Sequence, residues 1–262
     1  MNDTGQYLDQ MRKTAPLVHN ITNYVAMNIM ANVLLAAGAA PAMVHAREEV
    51  GEFAGLAQAL SINIGTFDPD WAEAMEIAAG VMTKAGKPWI LDPVGVGATT
   101  YRKQVCARLL AMRPTIIRGN ASEVLALAGL QAGGRGPEAT DSVDAAEAAA
   151  RELAQSTGAV VAVSGPVDYI TDGRDAFRVG NGDPMMPRVT ALGCSLNGVI
   201  AAFAVGQPVL QATVGAMAYY GLAGEQAGVQ VAGPGAFGAA FLDRLYHISP
   251  DDLTQGAKVS VA

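Results

Sequence analysis

The sequence predicts an α/β fold with three layers, in which a mainly parallel central sheet has helices on both faces and an antiparallel hairpin at one edge. The first reason is that short apolar segments bounded by Gly, Pro and Asp alternate with Ala-rich helical patterns along the chain. The second is a hairpin signal, Asp172-Gly173, which stands between two strand-like segments and suits a tight primed turn. No linker, repeat or low-complexity tract divides the 262 residues, so we expect a single domain over residues 1–262.

The alternation assigns the elements in chain order. The predicted strands are residues 41–44, 61–64, 89–91, 115–117 and 159–163, followed by the hairpin strands 169–171 and 176–178. The predicted helices are residues 20–36, 71–84 and 144–156, with one more beginning near Asn120. Because ligands of such sheets bind beyond the carboxyl ends of the strands, we expect the functional side chains just after each strand.

Composition narrows the class of partner. A net charge of −7 argues against nucleic acid and anionic membrane surfaces, while 51% hydrophobic and only 16% charged residues suggest surface that is buried between subunits. Cys106 and Cys194 form no disulfide framework, and the polar first residues carry no apolar signal core. We therefore expect a reducing cytoplasm.

The uncharged run from Val189 to Gly224 has two interpretations. Its length would allow a membrane-spanning helix. However, Asn197 and the Gly206-Gln207-Pro208 break interrupt it, and no cluster of Lys or Arg flanks it. These interruptions favour two buried helices.

A glycine-containing turn, Thr190-Ala191-Leu192-Gly193-Cys194, opens the first of these helices. The start of a helix presents free backbone N–H groups and the positive end of its dipole, which together bind anions such as phosphate. Arg118 follows the strand at residues 115–117, and phosphate oxygens would satisfy its guanidinium. Asn120 and Glu123 have the spacing of a capping box, which is their structural interpretation. The structural alternative for the turn is a plain helix start with a small buried Cys.

Three further strand ends carry candidate side chains. Asp92 ends one strand and precedes the Gly95-Val96-Gly97 loop, and Ser164 ends another. The string His19-Asn20-Ile21-Thr22-Asn23 combines two amides and an imidazole that suit a small polar heterocycle, for which Met43 would supply an apolar wall. Each also has a structural interpretation, in which Asp92 caps the following turn, Thr22 or Asn20 caps the first long helix, Ser164 turns the chain and Met43 belongs to the core.

Together these segments resemble the hydroxyethylthiazole kinase family, which has a ribokinase-like fold. The matching strings follow the family order from about Pro16 to Phe237 and cover nearly the whole chain. The most specific strings are Asp92-Pro93-Val94-Gly95-Val96-Gly97-Ala98 and Arg118-Gly119-Asn120-Ala121-Ser122-Glu123. The others are Pro16-Leu17-Val18-His19-Asn20-Ile21-Thr22-Asn23, Leu34-Leu35-Ala36-Ala37-Gly38-Ala39-Ala40-Pro41-Ala42-Met43, Asn63-Ile64-Gly65-Thr66, Ser164-Gly165-Pro166-Val167-Asp168 and Gly193-Cys194.

The resemblance implies an ATP-dependent kinase that phosphorylates the primary hydroxyl of 4-methyl-5-(2-hydroxyethyl)thiazole in thiamine salvage. It also implies a homotrimer with substrate sites between subunits. Cys194 is the catalytic residue that the resemblance implies, beside the hydroxyl of the thiazole. By position, the resemblance assigns the thiazole contacts to Met43, Ala191 and Asn23, the ATP contacts to Arg118, Ser164 and Gly193, and Mg²⁺ to Asp92 and Glu123, partly through water.

Three residues depart from related kinases. Ala191 stands where the family usually has Gly, and a positive φ there would be less comfortable for Ala. Pro166 stands where the family often has Glu, which removes a backbone donor and a carboxylate near ATP. Cys194 stands where related kinases of this fold have Asp. Because a helix N-terminus lowers a thiol pKa, we expect Cys194 to be a weak base that mainly positions the substrate hydroxyl.

Three other functions fit parts of the sequence. One is a different ribokinase-like kinase, which acts on a pyrimidine or pyridoxal alcohol. Another is a protein that binds a thiazole or a nucleotide without catalysis, which the changes at Ala191 and Cys194 would explain. The third is a hydrolase with Cys194 as its nucleophile, and this requires His19, His45 or His247 as a base.

Overall fold

The computed structural model describes residues 3–131, 143–229 and 231–262, and within these residues nine strands form one sheet. The strands are β1 (Leu17–Ile21), β2 (Ala40–Ala42), β3 (Ala59–Asn63), β4 (Trp89–Asp92), β5 (Ile116–Asn120), β6 (Val160–Ser164), β7 (Asp168–Thr171), β8 (Ala176–Val179) and β9 (Val259–Val261). Their order across the sheet is β2-β1-β3-β4-β5-β6-β7-β8-β9. The first six strands of the sheet pair in parallel, and β7, β8 and β9 pair antiparallel.

Helices cover both faces of this sheet. They are α1 (Gly5–Thr14), α2 (Met27–Ala37), α3 (Val50–Leu56), α4 (Pro69–Ala85), α5 (Thr100–Ala111), α6 (Ala121–Gln131), α7 (Val143–Thr157), α8 (Leu192–Phe203), α9 (Val209–Gly228), α10 (Pro234–His247) and α11 (Pro250–Gly256). Buried side chains of α1, α2 and α8 to α11 form one core, and those of α3 to α7 form a second core on the other face. The predicted three-layer α/β class is confirmed.

The order of the strands reverses next to β1. The chain passes from β1 through α2 to β2 on one side, and then through α3 to β3 on the opposite side of β1. α2 and α3 pack on opposite faces of the sheet, so the loops after β1 and β3 diverge and leave a crevice between them. Asn23 follows β1 and Asn63 ends β3, and their side chains meet in this crevice with Asn23 Nδ2 2.8 Å from Asn63 Oδ1.

Strand periodicity directs polar side chains toward α8. Along β4, Ile90 belongs to the core that contains α8, whereas Leu91 belongs to the opposite core. Because successive side chains of a strand alternate between faces, Asp92 is directed to the α8 face. The same alternation places Asn63 with Ala59 and Arg118 with Ile116 on that face. The sheet therefore presents its polar strand ends to the start of α8.

The predicted helix over residues 20–36 is wrong at its start. Residues Leu17–Ile21 form β1, and α2 begins only at Met27. β1 pairs with β2 on one side and with β3 on the other, which buries His19 and Asn20. Helical spacing of apolar residues indicated the helix correctly, but pairing with distant segments decided the conformation of its predicted first turns.

The predicted hairpin is present, but its turn and its place in the sheet differ from the prediction. Thr171 pairs with Ala176, so the loop has four residues, and of these only Gly173 has a positive φ, at 91°. A primed turn of type I′ would need positive φ at both central residues. In addition, β9 pairs with β8 and occupies the edge of the sheet that was predicted for the hairpin.

The uncharged run from Val189 to Gly224 contains α8 and most of α9, which a turn at residues 204–208 separates. This confirms the prediction of two buried helices. In the part of the chain that the structure describes, no helix has both the length and the apolar character that crossing a membrane requires. The helices and strands that no sequence pattern predicted are α1, α3, α5, α10, α11, β1 and β9.

Candidate active site

The first turn of α8 is the centre of the candidate site. The N–H of Ser195 donates to Ala191 O at 2.9 Å, which is the first hydrogen bond of the helix. The N–H groups of Leu192, Gly193 and Cys194 therefore have no acceptor within α8. Ala191 has φ 62° and ψ 6°, which is the left-handed conformation. This conformation costs a non-glycine residue about 1–2 kcal/mol. The departure from Gly at this position therefore places a strained residue at the site.

A cavity of about 770 Å³ opens beside this turn. Apolar side chains, including Met186 and Met217, form part of its wall. Its volume lies within the range of about 300–1,000 Å³ that is usual for small-molecule sites. The residues of the predicted site that line the cavity are Arg118, Ser164, Ala191, Gly193 and Cys194.

Arg118 lies beside this turn and connects β5, β6 and α8. It lies in β5, and its Nε donates to Ser164 Oγ at the end of β6 at 2.7 Å. Its Nη1 donates to Gly193 O in the first turn of α8 at 3.0 Å. A positive charge is thereby fixed next to the positive end of the α8 dipole, where a bound anion would neutralise both.

Asp92 lies beneath the turn and is buried. Its Oδ2 accepts hydrogen bonds from Asn63 Nδ2 and from Asn197 Nδ2, each at 2.6 Å. Burial raises the pKa of Asp92 to about 7, with a further increase from Glu123. The positive charge of Arg118 and the two amide hydrogen bonds lower the same pKa, and burial outweighs them.

Asn23 joins this carboxylate network to the thiol of Cys194. Its Oδ1 accepts the N–H of Ala26 at 2.9 Å, which fixes the orientation of the amide. Its Nδ2 donates to Asn63 Oδ1 at 2.8 Å and to Cys194 Sγ at 3.4 Å. Asn23, Asn63 and Asp92 therefore form a hydrogen-bonded chain that ends at the sulfur.

The expected pKa of the Cys194 thiol is wrong in sign. Burial and the neighbouring charge of Asp92 raise this pKa, and they outweigh the hydrogen bonds from Asn23 and Asn63 and the charge of Arg118. The helix N-terminus indicated the opposite direction because it is a local feature, whereas burial and Asp92 come from the tertiary structure. Cys194 is therefore a neutral thiol near neutral pH.

Glu123 forms the predicted capping box with Asn120. Asn120 N–H donates to Glu123 Oε2 at 2.9 Å, and Glu123 N–H donates to Asn120 Oδ1 at 3.0 Å. The other carboxylate oxygen, Oε1, accepts the N–H of Gly95 at 3.0 Å. Glu123 thus ties the loop after β4 to the start of α6 and lies near enough to Asp92 to raise its pKa.

Asp168 is a further acidic residue of the cavity. Its Oδ1 accepts the N–H of Gly165 at 3.0 Å, which fixes the loop between β6 and β7. Burial raises the pKa of Asp168 to about 6, although the Gly165 hydrogen bond and the charge of Arg118 lower it.

Comparison with known proteins gives the family. The family described as "HK: Hydroxyethylthiazole kinase family" matches residues 8–251. A hydroxyethylthiazole kinase of Cereibacter sphaeroides is 62% identical over 262 residues, which cover 100% of both chains. The chain belongs to the hydroxyethylthiazole kinase family. The predicted family and the predicted class of enzyme, a hydroxyethylthiazole kinase, are thus confirmed.

Solved structures agree with this family and with the fold. The structure of a hydroxyethylthiazole kinase protein from Pyrococcus horikoshii has a TM-score of 0.92 and 39% identity, and covers 99% of this chain and 98% of its own. A pyridoxal kinase from Staphylococcus aureus in complex with AMP-PCP has a TM-score of 0.67 and 16% identity, and the match covers 95% of this chain and 99% of the pyridoxal kinase chain. At that identity the second likeness shows the ribokinase-like fold alone.

In this hydroxyethylthiazole kinase family member, the predicted site residues fall into two groups, with Met43 outside both. Five line the cavity, whereas Asn23, Asp92 and Glu123 are connected to its edge by hydrogen bonds or charge. Met43 follows β2 and packs, half-buried, against the core that contains α8, outside the lining of the cavity.

Sequence reasoning missed the roles of Asn63 and Asn197, the two amides that hold Asp92. Asn63 shares a strand face with Ser61, and this polar alternation within an apolar segment was a usable signal. Asn197 is a lone amide in an uncharged helix, where a buried polar side chain needs a partner. Its partner lies 105 residues away in the chain, so the sequence did not identify it.

The positions of the three His residues give the hydrolase alternative no base. His19 is buried and its Nε2 donates to Val44 O at 2.7 Å, while burial lowers its pKa. The rings of His45 and His247 lie against Trp71 and Tyr246. Among the described residues, the hydrogen bonds to the Cys194 thiol come from the amides of Asn23 and Asn63 and not from an imidazole.

Proposed function

We propose that this chain transfers the γ-phosphoryl group of ATP to the primary hydroxyl of 4-methyl-5-(2-hydroxyethyl)thiazole, which gives the thiazole phosphate for thiamine salvage. The observation that carries this proposal is the cavity that contains both the open first turn of α8 and the guanidinium of Arg118. Both groups bind phosphate oxygens. The names of the full-length relatives support the thiazole alcohol as the acceptor.

In this proposal ATP occupies the cavity with its phosphates on Arg118, Ser164 and Gly193. Two of the five N–H groups of Arg118 bind Ser164 and Gly193 O, and the remaining ones would serve phosphate oxygens. Phosphoryl transfer requires positioning and charge neutralisation rather than covalent chemistry by the protein. A fixed guanidinium beside fixed backbone amides meets that requirement.

Asp92 and Glu123 would hold Mg²⁺ through water molecules that lie between the carboxylates and the ion. Glu123 already accepts an N–H at each carboxylate oxygen, and Oδ2 of Asp92 accepts two amides. Among the described residues no group of three or more His, Cys, Asp or Glu side chains could enclose a metal. Mg²⁺ usually keeps several waters and needs only one or two carboxylates plus substrate phosphates. When bound it would neutralise charge on the phosphates.

The thiazole contacts are proposed for Asn23, Met43 and Ala191. Asn23 lies in the crevice between β1 and β3 and reaches Cys194, so an alcohol bound there would lie next to the α8 turn. Met43 at the end of β2 would supply the apolar wall of that crevice. Pro166 lines the cavity without an N–H or a carboxylate, so nucleotide contacts on this loop would come from Ser164.

Cys194 is proposed to position the substrate hydroxyl. Its raised pKa keeps the thiol protonated, which leaves it poorly suited to accept a proton early in the reaction. The Asn23 amide donates to the sulfur and so fixes the side chain. Because the thiol is already protonated, the hydroxyl proton would pass directly to the transferred phosphoryl group.

The proposed assembly is a cytoplasmic homotrimer of single-domain chains. The nine-stranded sheet, which includes strands from both ends of the chain, supports the single domain. Tyr24 and Val25 are 64% and 57% exposed and follow directly on Asn23 at the candidate site. Such exposed apolar residues support a subunit interface that lies beside the substrate.

The test is ADP release by the purified chain with ATP and a panel of small alcohols, with and without Mg²⁺. We expect release with the thiazole alcohol and Mg²⁺, and little with pyridoxal or a hydroxymethylpyrimidine. Preferential turnover of either of those alcohols would assign the chain to a different substrate. Binding of the thiazole without ADP release would favour the non-catalytic alternative and contradict the proposal.

A further inference from the structure

Two buried hydroxyl groups contact the first turn of α8, and one of them belongs to Tyr220, which also lines the cavity. Tyr220 Oη, from α9, donates to Leu192 O at 2.8 Å, and Ser195 Oγ lies 2.7 Å from Tyr220 Oη. Ser195 Oγ also lies 3.1 Å from Leu192 O. Ser195 is completely buried and Tyr220 is 2% exposed. The two hydroxyls therefore converge on one main-chain carbonyl.

The phenol of Tyr220 is a permanent donor. Burial raises its pKa, and this outweighs the opposing effects of the Ser195 hydrogen bond and of Arg118. Tyr220 has one O–H hydrogen and donates it to Leu192 O, so in the hydrogen bond between the two hydroxyls Ser195 is the donor. A chain of hydrogen bonds in a buried setting polarises each of its members.

The carbonyl that these hydroxyls hold belongs to the same peptide unit as the N–H of Gly193. That unit is planar and trans, so its C=O and N–H point in opposite directions. In α8 the C=O points along the helix and the N–H points out of its N-terminus, toward the cavity. A donor on Leu192 O thus fixes the direction of the Gly193 N–H and increases its positive charge.

The next peptide unit is held in the same way. Arg118 Nη1 donates to Gly193 O at 3.0 Å, and Gly193 O shares its peptide plane with the N–H of Cys194. Two successive N–H groups of the turn are therefore oriented by side chains from two different elements, β5 and α9. Ala191, in the left-handed conformation, lies two residues before Gly193. Side chains from outside α8 thus hold the turn on the side that follows this strained residue.

We propose that Tyr220, supported by Ser195, is a positioning residue for phosphoryl transfer, which acts through the Leu192–Gly193 peptide to aim the Gly193 N–H at the transferred group. This inference rests on the proposed function, in which the first turn of α8 binds the phosphoryl group. Charge on the phosphoryl oxygens changes during transfer, so a well-aimed donor acts on kcat more than on KM.

The experiment compares Tyr220→Phe with Tyr219→Phe. Tyr219 is the preceding residue of α9, it is equally buried, and its hydroxyl donates to Leu245 O and not to the α8 turn. We measure kcat, both KM values and the free energy of unfolding, at a temperature below unfolding. Tyr220→Phe should lower kcat roughly tenfold. This is less than the roughly 10²–10³-fold decrease in kcat that follows the loss of a donor that contacts an oxyanion directly. KM for the thiazole should stay unchanged, and Tyr219→Phe should keep kcat within about twofold of the wild type.

Ser195→Ala provides a second variant that keeps the phenol. It should lower kcat less than Tyr220→Phe does, and the double variant should fall little below Tyr220→Phe, because both hydroxyls act on one peptide. Equal kcat in Tyr220→Phe, Tyr219→Phe and the wild type would overturn the inference, since the hydroxyl would then contribute to stability alone.

Arg118→Met separates this inference from the proposed function. A loss of ATP binding and turnover in Arg118→Met, with unchanged kcat in Tyr220→Phe, would refute the role of Tyr220 and leave the proposed site intact. An unchanged KM for ATP and kcat in Arg118→Met would refute the proposed site, and with it the inference.

Discussion

At the scale of single residues, burial decides the chemistry of the candidate site. It raises the pKa of both Cys194 and Asp92, so the sulfur is a neutral thiol and the carboxyl group titrates near neutrality. Each of these groups is also held by amides, Cys194 by Asn23 and Asp92 by Asn63 and Asn197. The site therefore depends on fixed neutral donors around a few ionisable groups.

Substitution of Cys194 tests its role directly. Cys194→Asp should keep or raise turnover, because a carboxylate can accept the hydroxyl proton whereas a neutral thiol cannot. The carboxylate can also accept the hydrogen bond that the Asn23 amide donates to the sulfur. Cys194→Ala should lose only part of the activity, well short of the roughly 10²–10⁴-fold that a general base contributes. Steady-state ADP release measures both, with Cys106→Ala in the opposite core as the control. Complete loss in Cys194→Ala, with none regained in Cys194→Asp, would show that the thiol itself is the base.

The raised pKa of Asp168 predicts that the stability of the fold depends on pH. Its pKa is raised to about 6, so between about pH 4 and 6 the folded chain binds more protons than the unfolded chain, and stability falls as the pH rises. Asp168→Asn keeps an acceptor for Gly165 N–H and removes the charge. Urea unfolding should find the variant more stable by about 1–2 kcal/mol at pH 7.5 and equal to the wild type near pH 4. A constant difference at both pH values would contradict this prediction.

At the scale of elements, Arg12 of α1 connects helix ends. Its guanidinium donates to Ala37 O at the end of α2 at 3.1 Å and to Leu245 O near the end of α10 at 2.9 Å. It also donates to Ile248 O, just beyond α10, at 2.7 Å. A cation at helix C-termini opposes the negative ends of their dipoles. α1 is therefore attached to the layer that contains α8, although no sequence pattern predicted this helix.

Arg12→Met should lower the free energy of unfolding by about 2–4 kcal/mol, because it leaves several partly buried carbonyls without their donor. Lys13→Met is the matched control, since Lys13 is an exposed neighbour whose partner is Asp9 at 2.6 Å, and it should cost less than about 0.5 kcal/mol. Chemical unfolding measures both. Equal stability of the two variants would mean that the carbonyls find other donors.

At the scale of the whole molecule, several large apolar side chains are exposed on the surface of the single chain. Large exposed apolar side chains include Tyr24 and Val25, and Tyr24 contacts the buried ring of Trp71 next to the site. Tyr101 stacks on Phe67 in the neighbouring loop region, with ring centroids 5.1 Å apart. This surface at the carboxyl ends of β1 and β3 is where the proposed subunits would meet.

Val25→Glu tests the proposed trimer. A charge at this 57% exposed position should dissociate the assembly, which light scattering coupled to gel filtration would detect as a change from three chains to one. Val261→Glu is the matched control, because Val261 is 76% exposed on β9 at the far edge of the sheet. A wild-type chain that scatters as a monomer would refute the trimer.

Several features could be predicted from the sequence because they depend on neighbouring residues. The capping box of Asn120 and Glu123 follows from a three-residue spacing, and the break between α8 and α9 follows from the Gly206-Gln207-Pro208 turn. Residues that depend on distant partners could not be predicted in this way. Asn20 was predicted as helical because its pairing with Ser61 of β3 is absent from the local pattern.

By itself the sequence determined the three-layer α/β class, the family and the candidate residues at the strand ends, since strand length, capping and turns are local and the family strings are contiguous. Only the tertiary structure decided which amides hold Asp92, which hydroxyl holds the α8 turn and the sign of the pKa shift of Cys194. The physical reason is that burial and hydrogen bonding between distant segments exist only once the helices pack on the sheet.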